Sequence, residues 1–127
     1  MEQQQIKSRQ APEPIGPYSQ AIRLGQFVHV SGQTGIDPAT GKFVADDIED
    51  QTRQALKNLE AVLQAAGSSL KQVVKTTVFL TDLSEFKPMN AVYARSFVEI
   101  PPARSTVQVA GLPGGARVEI EAVAFIP

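Results

Sequence analysis

Pro102-Ala103-Arg104-Ser105-Thr106-Val107-Gln108-Val109-Ala110-Gly111-Leu112-Pro113-Gly114-Gly115-Ala116-Arg117-Val118-Glu119-Ile120-Glu121 is the stretch whose reading decides the topology of this chain. Two β-patterned runs, 104–110 and 117–126, flank a Gly/Pro-rich segment. In the second run Val118, Ile120, Ala122, Ala124 and Ile126 alternate with Arg117, Glu119 and Glu121, the period of a strand with one buried face. Read locally, Pro113-Gly114 is a turn and the two runs pair as a hairpin. That pairing sets Gln108 against Glu119 and leaves Arg104 four residues away, on the order of 13 Å along the strand. The chemistry of the stretch matters as much as its pattern. Arginine captures a carboxylate at two points and keeps its proton near neutral pH. Glutamate can orient or deprotonate a water. The pair points to a small site for a small carboxylic acid, with no cofactor needed.

Working outward, Val73 to Thr81 is rich in β-branched residues and carries apolar side chains on both faces, which predicts a central strand. Between it and residue 102 a helix is expected over about 85–98, with Phe86, Met89, Tyr93 and Phe97 on one face. Its start is open: Ser84 as cap, or Pro88 at the first helical position. Pro101-Pro102 stops it. The clearest helix spans 48–66, where Ile48, Thr52, Ala55, Leu56, Leu59, Val62, Leu63 and Ala66 fall at three- and four-residue spacings. Asp46, Asp47, Glu49 and Asp50 crowd its N-terminus, which the helix dipole favours, and Gly67 sits where a C-cap glycine belongs.

Nearer the N-terminus, 18–24 and 27–31 read as strands joined by a Gly25-Gln26 turn, and Asp37-Pro38-Ala39-Thr40-Gly41 as a second turn. Residues 11–17 hold three prolines and are rigid and extended. The resulting order, β-β-α-β-α-β-β, predicts an α+β fold with two helices on one face of a mixed sheet. The opposite face then carries Phe27, Phe79 and Phe125. A sheet with an apolar second face usually buries it against a copy of itself, so an oligomer is expected.

The 127 residues fit a single domain spanning 1–127. Twelve basic and thirteen acidic residues leave a net charge of −1, which gives no electrostatic reason to expect nucleic acid or an anionic membrane as the main partner. There is no cysteine, so disulfides and thiol catalysis are excluded. The polar start, Met1-Glu2-Gln3-Gln4-Gln5, lacks the basic and apolar regions of a secretory signal, and the cytoplasm is the expected location. The single histidine, His29, has no ligand cluster around it, and no metal site is expected. The 111–115 segment lacks the lysine and following helix of a phosphate-binding loop.

Several separated motifs resemble one family. Ile15-Gly16-Pro17-Tyr18-Ser19-Gln20-Ala21, Val30-Ser31-Gly32-Gln33, Gln51-Thr52 through Asn58-Leu59, Val74-Lys75-Thr76-Thr77-Val78, Met89-Asn90-Ala91-Val92-Tyr93, Pro102-Ala103-Arg104-Ser105 and Val118-Glu119-Ile120-Glu121-Ala122 are similar to the RidA (YjgF) family, in register from about residue 6 to 126. The arginine and glutamate motifs resemble its deaminase-type branch. The resemblance implies a chorismate-mutase-like fold, a homotrimer, and ligand sites in clefts between subunits. It implies hydrolysis of 2-iminobutanoate and 2-iminopropanoate, reactive products of pyridoxal-phosphate enzymes, to 2-oxo acids and ammonia. It also implies that 111–116 is a crossover between strands that are not neighbours, against the local hairpin reading.

Carried onto this sequence, the resemblance gives Arg104 the substrate carboxylate and Glu119 the attacking water. A surface pair between Arg104 and Glu99 is the plain alternative for the first. Glu121, one period away on the same face, competes for the second. Thr106 follows Arg104 on the same pleat, where many relatives carry cysteine, and bears on pocket size and substrate preference. Ser31 and Gly32 end a strand where a ligand can approach the backbone closely. Tyr18 and Phe86 are expected to wall the pocket, and Asn90 to donate to the ligand. A non-catalytic carboxylate-binding trimer is the alternative function. Endoribonuclease or translation-inhibitor activity ranks third, because no basic track interleaved with aromatics is present.

Overall fold

The computed structural model describes residues 1–127. Eight strands form: β1 (Gln3–Ile6), β2 (Ala21–Leu24), β3 (Phe27–Gln33), β4 (Ile36–Asp37), β5 (Lys42–Phe43), β6 (Val73–Leu80), β7 (Ala103–Gln108) and β8 (Val118–Phe125). Two α-helices, α1 (Ile48–Ala65) and α2 (Phe86–Tyr93), separate them. Six strands make one sheet in the order β1-β2-β3-β8-β6-β7, and β4-β5 is a separate small hairpin.

The topology turns on β6. It is flanked by β7 in parallel and by β8 in antiparallel. Gln108 at the end of β7 and Val118 at the start of β8 both pair with Leu80. The connecting segment therefore steps over one strand, roughly 10 Å from β7 to β8. It is a crossover, and the local hairpin reading is overturned. The physical reason is the apolar patterning of β6. As an interior strand it buries Val78 and Leu80 completely, whereas a β7–β8 hairpin would deny it one of its two neighbours. The crossover is compact because Gly114 and Gly115 adopt φ of 67° and 80° around the turn at Pro113–Gly115.

Helix α1 begins where the acids cluster. Asp47 is the cap, and its Oδ1 accepts from the Asp50 backbone N–H at 2.8 Å. It ends in a Schellman arrangement: Gly67 sits at φ 85°, Ser68 N–H donates to the Leu63 carbonyl at 2.9 Å, and Gly67 N–H to that of Gln64 at 3.1 Å. The apolar stripe of α1 packs on β3 and β8 and against α2. Leu59, Val62 and Leu63 are fully enclosed with Val28, Val118, Ile120 and Met89 in one core. Burying each such side chain contributes about 1.5–3 kcal/mol.

Helix α2 starts differently from expectation. A 3₁₀ turn at Leu83–Glu85 leads into it, and the cap is Asp82, which accepts from Ser84 N–H at 2.9 Å. Ser84 donates here, and Pro88 lies inside the helix, so neither expected start holds. The hairpin turn at Gly25-Gln26 is present, with Gly25 at φ 62° and Leu24 opposite Phe27. Strand β1 was not expected. Both helices lie on one face, and the other face of the sheet bears Phe27 and Phe125 at 48% and 38% exposure.

Three buried amides of the chain's distinctive motifs act as clamps. Gln20 Nε2 donates to the Pro12 carbonyl at 2.8 Å, and its Oε1 accepts from Ser8 N–H at 2.6 Å, holding the proline-rich segment down. Gln51 joins the Ala45 carbonyl to Arg117 N–H. Asn58 Nδ2 donates to the Thr34 and Ile36 carbonyls at 3.0 and 2.8 Å, fixing the loop after β3. Asn58→Ala leaves those carbonyls unpaired and is expected to cost about 2–4 kcal/mol in urea unfolding, with an unchanged m-value.

Candidate active site

The eight candidate residues fall into two groups on opposite faces of the sheet. Arg104 pairs with Thr76 and Glu119 with Phe79. Ladder partners share a face, and Thr76 and Phe79 are three residues apart on β6, so they point to opposite sides. Arg104 and Thr106 stand on the helix-covered side and Glu119 on the open side. Within one chain the two key residues are also separated by two strand spacings and three residues, roughly 10 Å in each direction.

The first group surrounds a cavity of about 610 Å³ that Tyr18, Ser31, Gly32 and Glu119 line together, with Glu13 and Glu121. Its geometry follows from a bulge in β3. Val30 pairs with Ala122 and Gln33 with Ile120, so the Ser31-Gly32 step carries one extra residue and bends out of the ladder. Ser31 Oγ donates to the Ser19 carbonyl at 2.6 Å, tying the bulge to the segment that carries Tyr18. The Tyr18 hydroxyl in turn accepts from Ile15 N–H at 3.4 Å.

Glu119 lies directly against Gly32: a Cβ built there would sit 2.5 Å from Glu119 Oε2. Glycine at this position makes room for the carboxylate itself. Burial pushes the Glu119 pKa up, and the charge of Glu121 adds to the rise. A carboxyl in this state holds its proton to higher pH than an ordinary glutamate and can both give and take one. Gly32→Ala forces the Glu119 side chain to swing away without demanding a forbidden backbone. It is expected to displace the carboxylate by about 1 Å, visible in a crystal structure of the variant, with little change in Tm.

The second group gathers around Arg104. Arg104 and Asn90 line a cavity of about 270 Å³ with Tyr93, Ala94, Phe97 and the Pro101-Pro102 pair. Phe86 is 37% exposed, and its ring lies 5.6 Å from the Arg104 guanidinium carbon. Arg104 takes part in none of the four ion pairs of the chain; Glu99, its candidate surface partner, instead approaches Lys71 at 3.9 Å. Two buried oxygens nearby, Asn90 Oδ1 and Thr106 Oγ1, have no hydrogen-bond partner within the chain. A bare cation beside orphaned polar atoms is an unusual arrangement for a purely structural surface.

One residue without a role assigned from the sequence also enters the site. Tyr93, expected only as a helix-face aromatic, contacts Arg104 with its ring at 4.7 Å. Burial raises its pKa, against the opposing hydrogen bond with Thr76 and the charge of Arg104. Arg117, at the mouth of β8, bridges Asp46 at 3.2 Å and Glu85 at 3.3 Å, and these carboxylates raise its pKa. It ties the start of α1 to the turn before α2. No helix of the chain is long and apolar enough to cross a membrane.

Comparison with known proteins agrees with this fold. The chain is 53% identical over 120 residues to a RutC family protein of Pyrococcus horikoshii, covering 94% of this chain and 95% of that one. It is 46% identical over 120 residues to human 2-iminobutanoate/2-iminopropanoate deaminase, covering 94% of this chain and 88% of the human protein. The crystal structure of RidA from the Antarctic bacterium Psychrobacter superposes with a TM-score of 0.94 at 45% identity, covering 97% of this chain and 99% of that one. A family model described as Endoribonuclease L-PSP matches residues 8–126. The chain therefore belongs to the Endoribonuclease L-PSP family, the RidA (YjgF) family that its motifs resemble.

Proposed function

We propose that this protein hydrolyses small 2-imino acids, 2-iminobutanoate and 2-iminopropanoate among them, to 2-oxo acids and ammonia. The observation that carries the reading is Arg104, a cation without a carboxylate partner in a small cavity. The deaminase names of relatives at 46–47% identity support it.

The chemistry follows from the two groups. Arg104 takes the substrate carboxylate in a two-point, charge-assisted contact. Glu119 accepts a proton from water as the oxygen adds to the C=N carbon, then returns it to the nitrogen. The carbinolamine collapses to the C=O product, and ammonia leaves. Ser31 and Gly32 hold the bulged backbone beside Glu119, Tyr18 walls the cavity, and Asn90 and Thr106 offer polar atoms on the Arg104 side. No cofactor takes part. Imines hydrolyse readily in water, so orientation supplies most of the acceleration.

Because Arg104 and Glu119 of one chain face opposite ways, a working site takes Arg104 from one subunit and Glu119 from another. We propose a homotrimer with three such sites, which also covers the exposed Phe27 and Phe125. The acid-lined and arginine-lined cavities are complementary in charge. The test is a coupled assay in which threonine dehydratase generates 2-iminobutanoate. Added protein is expected to speed 2-oxobutanoate release, and Arg104→Ala to abolish the effect. Unchanged release in the presence of the wild-type protein would overturn the proposal.

An endoribonuclease reading draws on the description of the matching family model. The cavity around Glu119 argues against it: Glu13, Glu119 and Glu121 repel phosphate, and the net charge is −1. RNA cleavage that falls steeply with salt and is lost in Glu119→Gln would favour it instead.

A further inference from the structure

The guanidinium of Arg104 rests on rings where a carboxylate partner would be usual. Its carbon lies 4.7 Å from the Tyr93 ring centroid and 5.6 Å from that of Phe86. Tyr93 ends α2 and is only 6% exposed, and its ring is braced by Phe97 at 4.6 Å. The Tyr93 hydroxyl and Thr76 Oγ1 are 2.7 Å apart and share a hydrogen bond. Thr76, fully buried, is the ladder partner of Arg104 in the parallel β6–β7 pair. These contacts close a loop. The backbone ladder fixes Arg104 relative to Thr76, Thr76 fixes the hydroxyl of Tyr93, and the Tyr93 ring fixes the guanidinium.

We infer that Tyr93 is a positioning residue for Arg104: with Thr76 as its anchor, it holds the guanidinium in the orientation that receives the substrate carboxylate. This rests on Arg104 being the carboxylate-binding group. An arginine side chain has many rotamers to lose, and orienting one at the moment of binding weakens affinity. A ring platform removes that loss beforehand. It also attracts the cation without neutralising it, as a glutamate or aspartate in the same place would. The in-plane N–H donors remain available for a planar anion.

The experiment measures the Kd for 2-oxobutanoate by calorimetry on the full chain, with Tm recorded for every variant. Arg104→Ala is expected to lose detectable binding. Tyr93→Leu, which removes the ring, is expected to weaken binding by about tenfold. Tyr93→Phe, which keeps the ring but frees it from Thr76, should lower Tm because Thr76 Oγ1 is orphaned, and should weaken binding by about two- to threefold, well short of the Tyr93→Leu loss. That separation is one a merely structural role would not produce. If Tyr93→Leu fails to fold, the wild-type protein supplies the readout by NMR: the Arg104 Nε–H signal should be ring-current shifted and should move on titration with 2-oxobutanoate. An unshifted signal, or a Tyr93→Leu Kd equal to wild type while Arg104→Ala loses binding, overturns the inference alone. Wild-type affinity in Arg104→Ala overturns the carboxylate-site reading, and the inference with it.

Discussion

Arg104→Ala should reduce kcat/KM for the imine by about 100–1,000-fold, the range expected for losing a two-point charge-assisted contact to a carboxylate. The loss should fall mainly on KM, because the carboxylate is held alike in substrate and transition state. Arg104→Lys should recover little of it. A lysine offers a point charge on a flexible stem, where the site presents a planar fork lying over Tyr93. Stability should hardly change, since Arg104 closes no ion pair within the chain. A large fall in Tm with kinetics intact would identify the residue as a structural one.

Glu119→Gln should lower kcat by about 100–1,000-fold with KM close to wild type, as for a group that moves protons only as the reaction proceeds. The same change should stabilise the fold. Burial raises the Glu119 pKa above its value in the unfolded chain, so the native state holds this proton more tightly. Stability is then greatest below the ordinary glutamate value and declines as pH rises through the raised one. Glutamine removes that decline. The variant should have a higher Tm than wild type at pH 8, and the gap should close towards pH 4. Glu121→Gln should shift the activity inflection to lower pH without abolishing it, because burial, the larger cause, remains.

Much of the fold is legible in local pattern. The stripe and flanking residues of α1 give its start and its Schellman end, because Asp47 and Gly67 act within one turn of the helix. The β2–β3 turn is legible for the same reason. Strand β1 is not, since three of its four residues are glutamines and only Ile6 is buried. The β7–β8 relation is illegible to local reading, because a Gly/Pro segment fits a hairpin and a crossover equally well. What separates the two is the interior place of β6, a long-range fact. The family resemblance supplied the crossover correctly.

The site shows the same division. Arg104, Thr106, Asn90 and Phe86 gather on one side, and Tyr18, Ser31, Gly32 and Glu119 on the other. Motifs identify these residues, but their opposite facing depends on the odd offset between Thr76 and Phe79 along β6. Tyr93 escaped because a tyrosine at helical spacing reads as core. Its link to Arg104 runs through Thr76, a strand partner that only the register reveals.

The central claim is that each site is shared between chains, and subunit mixing tests it most directly. Arg104→Ala and Glu119→Gln chains, each inactive alone, are co-refolded in equal amounts and assayed for 2-oxobutanoate release. Shared sites predict recovery to about one quarter of wild-type activity, the random fraction that joins an intact Arg104 to an intact Glu119 in a cyclic assembly. Activity that stays at the level of the separate variants would contradict the account.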